Sequence, residues 1–122
     1  MPELYSDILL DHFRHPRNYG SLDAPDVSNE QFNPLCGDRI RLELKFDQSL
    51  VSEARFKGDA CAICTAAASL LTELVLGKDV EELANLPDTR LLAALESDIQ
   101  PARLQCALLP LHALREGLKN RL

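Results

Sequence analysis

The stretch "DRIRLELKFDQSLVSEARFKGDACAICTAAASLLTELVLG", Asp38 to Gly77, changes period twice, and those changes set the fold. From Asp38 to Phe46 it alternates. Ile40, Leu42, Leu44 and Phe46 share one face, and Arg39, Arg41, Glu43 and Lys45 share the other. A period of two with one apolar face predicts a half-buried antiparallel strand. "DQS" turns the chain, and Leu50 to Lys57 reads as the returning strand. From Ala62 to Leu76 the alternation gives way to an Ala- and Leu-rich run with few polar breaks. That run predicts a mostly buried helix stopped by Gly77. A hairpin with one solvated face needs an apolar layer on the other.

The flanks fit that demand. Leu4, Tyr5, Ile8, Leu9 and Phe13 recur at helical spacing, predicting an amphipathic helix over residues 3–14 that ends at "HPRNYG". Residues 21–35 are rich in turn formers, with a short edge strand near 26–31. Two short helices are expected over 79–84 and 88–97, joined at Leu86–Pro87. Leu104, Leu108, Leu111, Leu114 and Leu118 predict a last helix. A proline inside a helix costs about 3 kcal/mol but is harmless in the first turn. Pro110 therefore predicts a start near Cys106 or Ala107, or a kink. The expected class is α+β: a small antiparallel sheet with helices packed on one face, in a single domain over residues 1–122.

Composition narrows the function. Hydrophobic residues are 46% and charged residues 26%, ordinary for a globular chain. With 19 acidic and 13 basic residues the net charge is -6, which argues against nonspecific nucleic-acid binding and against a polybasic membrane surface. No apolar run approaches a membrane span, and the N-terminus has no cleavable signal pattern, so a cytoplasmic location is expected. Thiols stay reduced there. The four cysteines then read as metal ligands, nucleophiles or core fillers.

Three of them share a setting. Cys36 follows an Asn-Pro turn and precedes a strand, Cys61 precedes a helix, and Cys106 lies near a helix start. A helix N-terminus carries partial positive charge and favours the thiolate, the form that binds metal or attacks sulfur. Asp38 is two residues from Cys36, so in an extended segment both side chains would point the same way. Gathered together, three thiolates and a carboxylate would make a tetrahedral site for Zn²⁺ or iron, with the carboxylate as the weaker, exchangeable ligand. Each residue also has a plainer reading. Cys61 and Cys106 serve equally as core filler, Cys36 as an incidental loop thiol, and Asp38 as a strand-start turn residue. Cys64, one turn into the predicted helix, reads as core filler against a redox partner for Cys61 in "CAIC". His12 and His15 suit the end of the first helix, His112 lies on the last helix, and Arg39 and Arg41 read as a solvated strand face.

At "NPLCGD", "GDACAICTAAAS" and "RLQCALLP" the sequence resembles the U-type iron–sulfur cluster scaffolds, the family of IscU, the NifU N-terminal domain and SufU. "LLDHFRHPRNYGSLD" resembles that family's opening helix and the turn after it, and the resemblance runs over essentially the whole chain. It implies a three-stranded antiparallel sheet with helices on one face. It implies Cys36, Cys61 and Cys106 as sulfur acceptors and as ligands of a transient [2Fe-2S] cluster, of iron, or of Zn²⁺ in the apo form. Asp38 becomes the fourth ligand, the one that keeps the cluster labile. It further implies a pyridoxal-phosphate cysteine desulfurase as sulfur donor and apo-proteins or carriers as cluster acceptors. The role is an assembly platform and not a turnover enzyme.

Four departures qualify this. Gln105 stands where IscU members carry His before the third cysteine. "IQPARLQC" keeps only Pro101 and Arg103 of the Leu-Pro-Pro-Val-Lys segment read by an Hsp70-type chaperone, so that partner is not carried over. The insertion of SufU members between the second and third cysteines is missing, and Cys64 replaces a common Ser or Ala. A zinc-dependent sulfurtransferase partner of a desulfurase, as in SufU, is the alternative function.

Overall fold

The structure is a computed structural model and describes residues 5–119. The elements are α1 (Asp7–Arg14), β1 (Val27–Asn33), β2 (Asp38–Asp47), β3 (Leu50–Asp59), α2 (Ala62–Leu74), α3 (Val80–Ala84), α4 (Asp88–Ala94) and α5 (Leu104–Leu118), with a 3₁₀ turn at Pro101–Arg103 before α5. The three strands form one antiparallel sheet in the order β1-β2-β3. Ile40, Leu42 and Leu44 of β2 and Val51, Ala54 and Phe56 of β3 are buried on the face covered by α2 and α5. The expected α+β class, with helices on one face of a three-stranded antiparallel sheet, is the observed one.

The β2–β3 hairpin closes through Gln48 and Ser49, both at positive φ, the backbone that matches a two-residue turn to strand twist. The outer edge of β3 is covered at two places. Gly20 N–H donates to the Phe56 carbonyl and Phe56 N–H to the Asn18 carbonyl, while Val51 exchanges hydrogen bonds with Gly77 and Lys78. That covering protects a strand that would otherwise present unpaired backbone.

Four expectations change. The N-terminal helix begins at Asp7, where the Ser6 hydroxyl accepts the Leu9 N–H, and residues 3 and 4 of the expected span lie outside the described residues. Among the described residues of its predicted apolar face only Leu9 is fully buried. Ile8 and Phe13 remain exposed, and His12 takes the inward position instead. Glu43, expected on the solvated face, is buried because the loop after α1 folds over it. Leu22 N–H and the Ser28 hydroxyl donate to its two oxygens. Pro110 lies inside α5, which starts at Leu104, so the proline sits beyond the first turn and the helix runs through it as one element. The 3₁₀ turn ahead of it supplies the earlier start.

Candidate metal and sulfur site

Three junctions build the site, one for each of three cysteines. The β1–β2 connection is a four-residue turn in which Gly37 N–H donates to the Asn33 carbonyl, Leu35 N–H donates to Asn33 Oδ1, and Gly37 has φ 75°. Cys36 is therefore at the crest of a hairpin turn and exposed. The extended geometry expected between Cys36 and Asp38 does not apply, because the turn itself folds the thiol back toward the strand. Asp38 opens β2 and is 3% exposed.

The second junction joins β3 to α2. Gly58 allows it, since a Cβ there would sit 2.0 Å from the Arg39 carbonyl oxygen. Three residues on, Cys61 is the N-cap of α2, and its Sγ accepts the Cys64 N–H at 3.5 Å. Asp38 Oδ1 accepts the Cys61 N–H at 2.9 Å, which ties the start of α2 to the start of β2. The third junction is the 3₁₀ turn into α5, which carries Cys106 in its first turn, buried.

These junctions meet. The Cys106 and Cys36 sulfurs are 3.2 Å apart. Those two sulfurs and an oxygen of Asp38 all lie within 4.8 Å of one another. Asp38 Oδ2 is buried and accepts no hydrogen bond. A buried carboxylate oxygen without a donor is costly, and a cation is the partner that satisfies it. In a tetrahedral site with metal–sulfur bonds near 2.3 Å, donor atoms stand about 3.8 Å apart. The two thiols would separate by about half an ångström to fit, so a donor set of this chemistry and span accommodates zinc or iron. Cys61 stands beside this trio, with its thiol close enough to Asp38 to act on the carboxylate.

Electrostatics correct one expectation. Helix N-termini were expected to lower the thiol pKa values, yet burial pushes both Cys61 and Cys106 up, and the Asp38 carboxylate adds to the effect at each. Desolvation is the stronger force here. For Asp38 burial works to raise the carboxyl, but the neighbouring Cys36 thiol and the Cys61 N–H together outweigh it and hold it below the ordinary carboxylate range. An ionised carboxylate beside neutral thiols leaves the pocket negative and ready for a cation.

Arg103 is a neighbour that the motif reading had noted only as a basic residue. It is exposed in the 3₁₀ turn beside Cys106, whose sulfur pushes the arginine pKa up. The readable signal was a cation three residues before a cysteine at a helix start. Gln105 is exposed and points into the shallow clefts flanking the cysteine turn. The histidines lie elsewhere. His12 Nδ1 is 2.7 Å from Ser69 Oγ on α2, His15 follows α1, and His112 lines a cleft of about 490 Å³ with Phe32, Gln105 and Arg115. Arg39 and Arg41 lie on the open sheet face, near Glu30.

Residues 4–121 match the family model described as the NifU-like N terminal domain. The chain belongs to that family. Among its relatives, the zinc-dependent sulfurtransferase SufU of Bacillus subtilis is 36% identical over 94% of this chain and 89% of its own length. The iron–sulfur cluster assembly scaffold protein IscU of Azotobacter vinelandii is 35% identical over 95% of this chain and 92% of its own. A putative SUF-system scaffold from Fervidobacterium islandicum shares the fold of this NifU-like domain with a TM-score of 0.78. It is 23% identical, with 95% of this chain and 97% of that one covered. Like them in length, this NifU-like chain has, among its described residues, no helix long and apolar enough to cross a membrane.

Proposed function

We propose that residues 1–122 act as one cytoplasmic scaffold domain on which an iron–sulfur cluster is assembled and from which it is handed on. The observation that carries this reading is the buried Asp38 carboxylate, one oxygen of it without a hydrogen-bond partner, gathered with two thiols 3.2 Å apart. Cys36, Cys61, Cys106 and Asp38 are the ligands, and a [2Fe-2S] cluster is the cargo. The relatives named as IscU scaffolds support it.

Each residue has a part. Cys36, exposed at a hairpin turn, meets an incoming persulfide from a pyridoxal-phosphate cysteine desulfurase. Its thiol bonds the outer sulfur, and the desulfurase cysteine leaves as a thiol. Leu35 beside it is 92% exposed, an apolar contact for the docking protein. Cys61 and Cys106, half-buried and buried, hold the delivered sulfur and metal away from water. Asp38 is a hard oxygen among soft ligands, so its bond is the first to open when an apo-acceptor presents its own thiolates. The chain is a platform; its product leaves with the acceptor.

A second reading has its own support in the similarity to the zinc-dependent sulfurtransferase SufU, and in Gln105 where a scaffold His would stand. In it the same four groups hold one zinc, and a cysteine ligand, Cys106, exchanges to accept sulfur. Stimulation of a desulfurase by the zinc-loaded chain, with no stable cluster formed, would select it. A cluster that reconstitutes and passes intact to an apo-ferredoxin would select the scaffold.

A further inference from the structure

Cys64 is the cysteine that the ligand set does not use. It completes a Cys61-Ala-Ile-Cys64 motif at the start of α2, with Cys61 as N-cap and Cys64 in the first turn. The Cys64 N–H points at the Cys61 sulfur, 3.5 Å away, so the chain curls around that sulfur. Cys61 is half-buried and reachable, whereas Cys64 is fully buried. An accessible first cysteine and a sheltered second one at a helix N-terminus is the arrangement in which the first receives and the second resolves.

We propose that Cys64 is a resolving thiol, attacking the Cys61 sulfur when Cys61 carries a persulfide and releasing sulfide beside Cys36, Asp38 and Cys106. This rests on the sulfur-receiving half of the function proposed above. The Cys64 sulfur bonds Cys61 Sγ. The S–S bond of the persulfide breaks, and the outer sulfur leaves with the electron pair and the Cys64 proton as hydrogen sulfide. Two thiols are oxidised to a disulfide while one sulfane sulfur is reduced to sulfide. A dithiol reductant then returns the disulfide to two thiols and is itself oxidised. Cluster building needs sulfur as sulfide, and this pair supplies the two electrons where the sulfur already sits. The competing pair is Cys36 and Cys106, already in contact, but a disulfide there would remove two ligands where Cys61–Cys64 removes one.

The test uses the full chain, kept without oxygen and with a metal chelator, treated with inorganic polysulfide and freed of excess donor. Sulfane sulfur on each cysteine and every disulfide are then mapped by peptide mass spectrometry after thiol blocking. Cys64→Ala and Cys64→Ser are run alongside, each checked for folding by far-UV circular dichroism, so that loss of fold in one leaves the other. The expected result is a Cys61–Cys64 disulfide with no sulfur retained on Cys61 in wild type. The variants would keep an added sulfur on Cys61 and lose it at least about tenfold more slowly. Wild type that retains sulfur on Cys61 as the variants do would overturn the proposal and leave sulfur reception standing. So would a disulfide mapped to Cys36–Cys106. Failure of any cysteine to take up sulfur, in wild type and variants alike, would overturn sulfur reception and the resolving step together.

Discussion

Asp38 carries two duties through its two oxygens. One accepts the Cys61 N–H at 2.9 Å, and the other is buried without a hydrogen-bond partner, in a carboxylate gathered within 4.8 Å of the Cys36 and Cys106 sulfurs. The substitutions Asp38→Ala and Asp38→Asn separate them. Asp38→Ala removes both and costs about 1.5–3 kcal/mol of stability, the range for a hydrogen bond to a charged group. Asp38→Asn keeps an acceptor for the Cys61 N–H and costs less. On the proposal that the carboxylate is the exchangeable ligand, a cluster reconstituted on Asp38→Ala should bleach more slowly than wild type when an apo-acceptor is added. Faster bleaching would contradict the labile-ligand role. The sequence showed the cysteines and this aspartate through their motif. The pinning of Cys61 was not legible there, because it joins residues 23 apart through a side chain whose direction depends on the hairpin turn. The thiol pKa direction was misread for a similar reason: local helix polarity is visible in sequence, whereas desolvation depends on what the rest of the chain places around the sulfur.

Elements deliver these residues, and their junctions are where substitutions should tell. Gly58→Ala would drive a Cβ into the Arg39 carbonyl, so β3 must shift away from β2 just before Cys61. A loss of about 1–3 kcal/mol in urea unfolding is expected, together with weaker metal binding. Pro110 acts in the other direction. A proline in a helix interior costs about 3 kcal/mol, and trimming its buried ring to Ala leaves a small cavity worth about 1–2 kcal/mol. Pro110→Ala should therefore gain about 1 kcal/mol. A net loss would show that packing of the ring outweighs the missing hydrogen bond.

The α1–α2 contact predicts a pH dependence. Ser69 Oγ accepts the Arg17 N–H and lies 2.7 Å from His12 Nδ1, while His12 Nε2 lies 3.6 Å from the Glu73 carboxylate. Burial, with Arg17 adding, lowers the His12 pKa against the opposing pull of Glu73 and Asp11. A folded pKa below the unfolded one means the unfolded chain takes up the proton first. This contribution is full above the unfolded value near 6.5 and is lost as pH falls through that value toward the folded pKa. Thermal melts from pH 7.5 to 5 should show the loss in wild type and a flatter profile in His12→Asn. The strand pair and the buried helix were legible because their periods are unambiguous. The inward His12 was not, because Ile8 and Phe13 offered a more apolar face and only the position of Ser69 on α2 explains why histidine faces in.

At the scale of the molecule, a sheet, two covering helices and three turns converge on one exposed corner, and that convergence is the central claim. A chain of net charge -6 gathers soft donors there with an ionised carboxylate among them, so the site favours cations over anionic partners. Most of this plan was legible in the sequence as an order of elements and a family motif. The distances were not, since Cys36 and Cys106 are 70 residues apart along the chain and meet only after β1, β2 and α5 have packed. Metal bound at the corner ties these distant segments together, so loading should raise the melting temperature and chelation should reverse the gain. The most direct measurement is the iron, zinc and acid-labile sulfide content of the chain purified without oxygen, beside Cys36→Ala, Cys61→Ala and Cys106→Ala. The account predicts iron and sulfide in equal amounts in wild type and their loss in each variant. No bound metal in wild type, with all three variants indistinguishable from it, would contradict the site.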